Sequence, residues 1–197
     1  MSDRESSTPQ HYFDIVAGLD LSLTSTGLAK IANTPGAVPT VGTITSSGGK
    51  DATFPQRYAR LCGLADAILD ELPFDPDTLV ILEAPSYGST TGSQHDRSGL
   101  WWMVYDRLRG LGHVVGTVTP TGRAKYATGK GNAGKDAVLA ATVRRFPDIA
   151  VDSNDIADAV QLMAIGRRLV GKPIDDPMPA LNLTALDKVS IPSGVRR

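Results

Sequence analysis

Residues 78–84, Thr-Leu-Val-Ile-Leu-Glu-Ala, constrain the fold more than any other part of this chain. Four consecutive large apolar residues leave no polar face for water. The length suits a strand and falls short of a helix. Such a strand belongs in the middle of a sheet, with both faces covered. A second run, Ile15–Leu21, has the same character and is interrupted only by Asp20. Two buried strands of this kind call for helices on both sides of the sheet, and the rest of the sequence can supply them.

Gly27–Ala32 and Val38–Thr45 read as two more strands, with Thr34-Pro35-Gly36 as the turn between them. Together with Ile15–Leu21 they predict an antiparallel meander. Tyr58, Leu61, Ala65, Ile68, Leu69 and Leu72 recur at helical spacing, which predicts a helix over 55–72 closed by Pro73. A second helix is expected over 98–111 and a fifth strand over 113–119. The segment 121–134 is glycine-rich and basic and reads as a loop. A third helix follows over 135–146, and a fourth, capped by Ser153 or Asn154, runs to about 170. The expected order is β-β-β-α-β-α-β-α-α: an α/β domain over 13–171, with a five-stranded mixed sheet flanked by helices on both faces. Residues 1–12 are expected to be a disordered leader, and 172–197 an extended or partly docked tail.

Two of the buried strands carry an acid. Asp20 lies inside one, and Glu83 ends the other just before Pro85. An ionised carboxylate in such a place is costly unless it is paired or bound to a cation. Asp155 and Asp158, three residues apart, share one face of the fourth helix. Each acid also has an ordinary reading: a carboxylate satisfied by backbone N–H groups, or acids favoured by the first turn of a helix. Together, four oxygen donors suit Mg²⁺ or Mn²⁺ rather than zinc. A pair of such ions supports phosphoryl displacement. The single cysteine, Cys62, excludes a disulfide framework and a cysteine-rich zinc site.

Net charge is −1, but it is unevenly spread. Residues 97–145 hold nine Lys/Arg against two acids, a balance of +7 that leaves −8 for the rest. A basic block in acidic surroundings fits a polyanion bound on one face, or merely solvated helix faces. There is no apolar run of membrane-spanning length. The polar N-terminus has no signal-peptide core, so a cytoplasmic location is the expectation.

The combination of Gly-x-Asp-x-Ser-x-x-x-Thr-Gly at 18–27, an apolar strand ending in Glu83, and Asp-x-x-Asp-Ala at 155–159 resembles the RuvC-type Holliday junction resolvases, in particular their phage-encoded branch. The basic stretch from Lys125 through Lys130 to Lys135 strengthens the likeness. It covers about residues 14–170. The resemblance implies a ribonuclease H-like fold and a homodimeric endonuclease that cuts four-way DNA junctions by paired symmetric nicks. It implies two Mg²⁺ ions, replaceable by Mn²⁺, on Asp20, Glu83, Asp155 and Asp158. It implies catalytic lysines at Lys135 and at or beside Lys125, the latter one residue off the bacterial spacing. DNA contacts are implied for Arg123, Lys125, Lys130 and Lys135, and for Tyr87 as a wedge at the crossover. The adjacent Trp101 and Trp102 point about 100° apart on a helix. Either both enter the core or one turns to a second subunit.

Other readings compete. Asp-x-Ser-x-x-x-Thr-Gly also resembles the first phosphate loop of sugar kinases and actin-like ATPases, but no second copy of the domain follows. Without a Lys-Ser/Thr pair after the 129–134 glycines, no nucleotide cofactor is expected. A related nuclease acting on flaps, single strands or RNA would need the same acids. A non-catalytic branched-DNA-binding module would not need all four.

Overall fold

A computed structural model describes residues 13–73, 77–85 and 93–192. The elements, in chain order, are β1 (Ile15–Asp20), β2 (Ser25–Ala32), β3 (Thr40–Thr45), α1 (Phe54–Asp70), β4 (Thr78–Glu83), α2 (Gln94–Gly110), β5 (Val114–Val118), α3 (Pro120–Thr128), α4 (Lys135–Arg145), α5 (Asn154–Leu169) and a short α6 (Ala180–Leu183). The five strands form one mixed sheet in the order β3-β2-β1-β4-β5. β1, β2 and β3 pair antiparallel, while β4 pairs parallel with both β1 and β5. The expected five-stranded mixed sheet is therefore present, and β1 and β4 are among its three inner strands.

The apolar strands are covered as their sequence demands. Ala17, Leu19, Val80, Leu82 and Val115 point to one face, under Leu61, Leu64, Ala65 and Ile68 of α1 and Leu100, Val104 and Leu108 of α2. Val16, Ala29, Ile31, Leu79, Ile81 and Val118 point to the other, under α5. This alternation, with a period of two, decides where the acids go. Asp20 shares parity with Val16, and Glu83 with Leu79 and Ile81. Both carboxylates therefore emerge on the α5 side.

The sequence reading differs from the structure most at 121–128, expected as part of a loop over 121–134 and found within helix α3. Thr119 caps it, accepting from the Gly122 backbone N–H at 3.1 Å. Pro120 occupies the first turn, and Gly129 (φ 81°) ends the helix in the left-handed conformation. Beyond α5, the chain packs back on the domain. Ala185 and Val189 join the α5-side core, and Ser190 exchanges two backbone hydrogen bonds with Thr117 of β5 (2.7 and 2.9 Å). Tyr126 of α3 is fully buried. Its hydroxyl donates to Asp175 at 2.7 Å, and its carbonyl accepts from Asn182 Nδ2 at 2.8 Å. The C-terminal segment thus fixes the helix that carries Arg123 and Lys125.

Candidate metal and nucleic-acid site

The motif at 18–27 divides into one chemical residue and several that place it. Thr26, fully buried, donates through Oγ1 to the Ser22 carbonyl at 3.0 Å and accepts from the Ser22 N–H at 3.1 Å. The β1–β2 connection is therefore closed by its own side chain. Gly18 and Gly27 lie under α5. A Cβ on Gly18 would stand 2.3 Å from the Ala159 carbonyl oxygen, and one on Gly27 2.0 Å from that of Asp155. These two glycines let the helix rest on the sheet backbone, and so bring Asp155 and Asp158 down to Asp20. Ser153 caps α5, accepting from the Ile156 N–H at 3.3 Å.

Leu19 and Leu82 are paired neighbours on β1 and β4. Asp20 and Glu83 are the next residues, so their carboxylates leave adjacent strand ends. The end of β4 is held by the Trp101 indole, which donates to the Glu83 carbonyl at 2.8 Å. Asp158 is buried, while Asp155 and Asp20 are partly exposed. Burial raises the Asp20 carboxyl well above the ordinary range, and the charges of Glu83, Asp158 and Asp155 push it further in the same direction. The four acids expected to act together are thus within electrostatic reach of one another.

Arg123 was expected at the DNA surface. Its side chain is instead 9% exposed and lies inside this cluster. Nε donates to Glu83 Oε2 and NH1 to Asp158 Oδ1. Burial works against its charge, but Glu83 and Asp158 outweigh it and raise the guanidinium pKa. Neither composition nor the resemblance pointed to this role. The available signal was helical: Thr119-Pro120 and Gly129 bracket a helix on which position 123 faces inward.

The other basic residues are dispersed. Lys135, exposed at the first position of α4, lies close enough to Asp158 to lower its pKa. Lys125 is half-buried in the last turn of α3. Lys130 lines a separate groove of about 840 Å³ with Arg144 and Arg145. Tyr87 lies outside the described residues. A small cleft of about 90 Å³ opens on the acids between Asp20, Glu83, Pro85, Arg97 and Trp101. Trp101 faces the core, and Trp102 is 60% exposed.

The donor set fits a hard divalent cation: the donors are carboxylate oxygens, gathered at a cost in mutual repulsion that a cation would remove. Among the described residues no three acids converge as a ready-made ligand cluster, and Arg123 stands between Glu83 and Asp158. Burial, with this repulsion added, has a measurable consequence. The Asp158 carboxyl is pushed up to about 6, chiefly by burial, with Glu83 and Asp155 adding to it and Arg123 and Lys135 opposing. The folded state then holds this proton more tightly than the unfolded chain, whose aspartates titrate near 4. The stabilisation is present below about pH 4 and is lost as pH rises through about 6, on the order of 3 kcal/mol. In EDTA, Asp158→Asn is therefore expected to flatten the fall in Tm between pH 4 and 7. An unchanged slope in Asp158→Asn would contradict this account.

The sheet order, the strand directions and the covering helices are those of the ribonuclease H-like fold. Among solved structures, RuvC from Thermus thermophilus superposes with a TM-score of 0.59 at 15% identity, over 90% of this chain and 99% of that one. The same protein in complex with a Holliday junction substrate gives 0.57 at 14% identity, with the same coverage. Ydc2, the yeast mitochondrial Holliday junction resolvase, gives 0.51 at 9% identity, over 79% and 80% of the two chains. No family model and no curated protein matches the sequence. No helix among the described residues is long and apolar enough to cross a membrane.

Proposed function

We propose that this protein is a metal-dependent endonuclease that resolves four-way DNA junctions by paired nicks and acts as a homodimer. The observation that supports the reading is that Asp20, at the end of β1, lies within electrostatic reach of Glu83 at the end of β4 and of Asp155 and Asp158 at the start of α5, in a fold shared with junction resolvases. These four acids would hold Mg²⁺ or Mn²⁺. Such ions, when bound, activate water and stabilise the departing oxygen in phosphodiester hydrolysis. Lys135, exposed beside Asp158, is suited to meeting the phosphate whose charge increases during the reaction. Lys125 and Lys130 extend positive charge along α3 and its C-terminal turn, where a DNA backbone would be attracted rather than read by sequence. Exposed rings on the packed α1/α2 pair, Phe54, Tyr58 and Trp102, suit burial against a second copy.

The test is cleavage of synthetic DNA. A four-way junction, a flap, a plain duplex and single strands are incubated with the full chain in Mg²⁺ and in EDTA. Symmetric paired nicks in the junction alone, lost in EDTA, are the expected result. Equal cutting of flaps or single strands would remove the junction assignment and keep the chemistry. Junction binding without cleavage in either Mg²⁺ or Mn²⁺ would overturn the enzymatic reading.

A further inference from the structure

We propose that Arg123 is a displaceable counter-cation, whose guanidinium holds the carboxylate cluster together in the metal-free protein and competes with divalent cations for the same oxygens. The inference rests on the metal-ion reading above and concerns how the chain prepares that site.

Arg123 does not form a side-by-side pair with one acid. It reaches Glu83 at the end of β4 with Nε and Asp158 on α5 with NH1. One side chain thus ties the sheet to the helix across the site. The two carboxylates are themselves little exposed, 17% and 5%. Buried acids left without a cation would repel one another, and a buried guanidinium left without acids would be equally unfavourable. Each therefore needs the other, or a substitute.

A divalent cation is such a substitute, because it takes carboxylate oxygens of the kind Arg123 engages. Counting Asp20, Glu83, Asp155 and Asp158 as ionised and Arg123 as charged, the cluster stands at −3. One divalent cation brings it to −1. A second, with the guanidinium still in place, brings it to +1. Arg123 therefore resists metal loading in the absence of an incoming phosphate.

Exchange requires only a side-chain movement. α3 itself is anchored by the Tyr126–Asp175 and Asn182–Tyr126 hydrogen bonds and by Arg145, which donates to the Ala127 carbonyl at 2.9 Å. The arginine stem has several rotatable bonds, and Glu83, one of the two acids it holds, lines the cleft that opens at Asp20.

The test measures Mn²⁺ binding to the full chain without DNA, by loss of the free-ion electron paramagnetic resonance signal, together with Tm in EDTA and in Mn²⁺. Arg123→Gln is expected to bind Mn²⁺ at least tenfold more tightly than wild type, to melt lower in EDTA, and to gain more in Tm from Mn²⁺. Arg123→Lys keeps the charge but loses the fork that spans two acids. It is expected to fall between the two, and it carries the test if Arg123→Gln fails to fold. Mn²⁺ affinity that is unchanged or weaker in the variants, with wild type binding normally, would overturn the counter-cation role and leave the metal site standing. Binding by a variant alone would support the competition in its strongest form. No binding by any of the three would overturn both.

Discussion

Replacing Gly27 by alanine is expected to lower stability by about 3 kcal/mol or more and to reduce cleavage in whatever protein remains folded. The added Cβ would lie 2.0 Å from the Asp155 carbonyl oxygen and 2.5 Å from its carbonyl carbon. Both are backbone atoms in the first turn of α5, so no side-chain rotation can relieve the overlap. The helix must lift from the sheet. Overpacking of this kind ordinarily costs about 1–3 kcal/mol, and more where backbone has to move. α5 makes the separation especially costly because nearly its whole surface is buried, from Ile156 to Arg167. The same displacement would carry Asp155 and Asp158 away from Asp20, so stability and chemistry should fail together. Gly42, on edge strand β3, provides the control, since a Cβ there meets nothing within 4 Å. Gly42→Ala should melt within about 1 kcal/mol of wild type. Equal, small effects at both positions in thermal melts would show that α5 does not rest on Gly27 as described.

Much of this arrangement is legible in the sequence because it depends on local pattern. The runs at 15–21 and 78–84 are apolar on both faces, so their central places in the sheet follow from burial alone. Alternation then puts Asp20 and Glu83 on one side, and the i, i+3 spacing puts Asp155 and Asp158 on one helix face. What the pattern hides is depth. Gly122, Gly129, Gly131 and Gly134 make 121–134 look like a loop, yet only Gly129 carries a positive φ among them, and it ends a helix. Gly122 lies within that helix because its first turn packs closely: a Cβ there would stand 2.9 Å from Val118 Cγ2. Once α3 is a helix, Arg123 turns inward while Lys125 stays at the edge. A count of basic residues cannot make that distinction. Part of the +7 excess over 97–145 is likewise used within the fold. Arg123 pairs with two acids, Arg107 pairs with Asp66, and Arg145 donates to the Tyr126 and Ala127 carbonyls. The charge available to a polyanion is smaller than the sequence total.

Asp20→Asn is expected to abolish metal-dependent cleavage, by roughly 10³-fold or more, while raising the Tm of the metal-free protein. The two effects have one origin. Asp20 is penalised by its surroundings: burial and the neighbouring Glu83, Asp158 and Asp155 charges favour its neutral form, and Arg123 opposes them. Asparagine has nearly the same shape and no charge, so the substitution relieves that repulsion without opening a cavity. The metal-free protein gains stability at neutral pH, above the range where an unfolded aspartate titrates, because there the raised Asp20 carboxyl costs the folded state. For catalysis the sign reverses. The anionic oxygens are what a divalent cation requires, and losing one weakens stabilisation worth several kcal/mol, which corresponds to a rate loss of that order. Junction binding in EDTA should be largely retained, because Asp20 lines the small cleft and is not one of the lysines. Three measurements on one variant, cleavage in Mg²⁺, Tm in EDTA and junction affinity in EDTA, separate the possibilities. Lost cleavage with a higher Tm and intact binding would identify Asp20 as a carboxylate kept for chemistry at the expense of stability. Lost cleavage with a lower Tm would make it a structural acid, and wild-type cleavage would remove it from the site altogether.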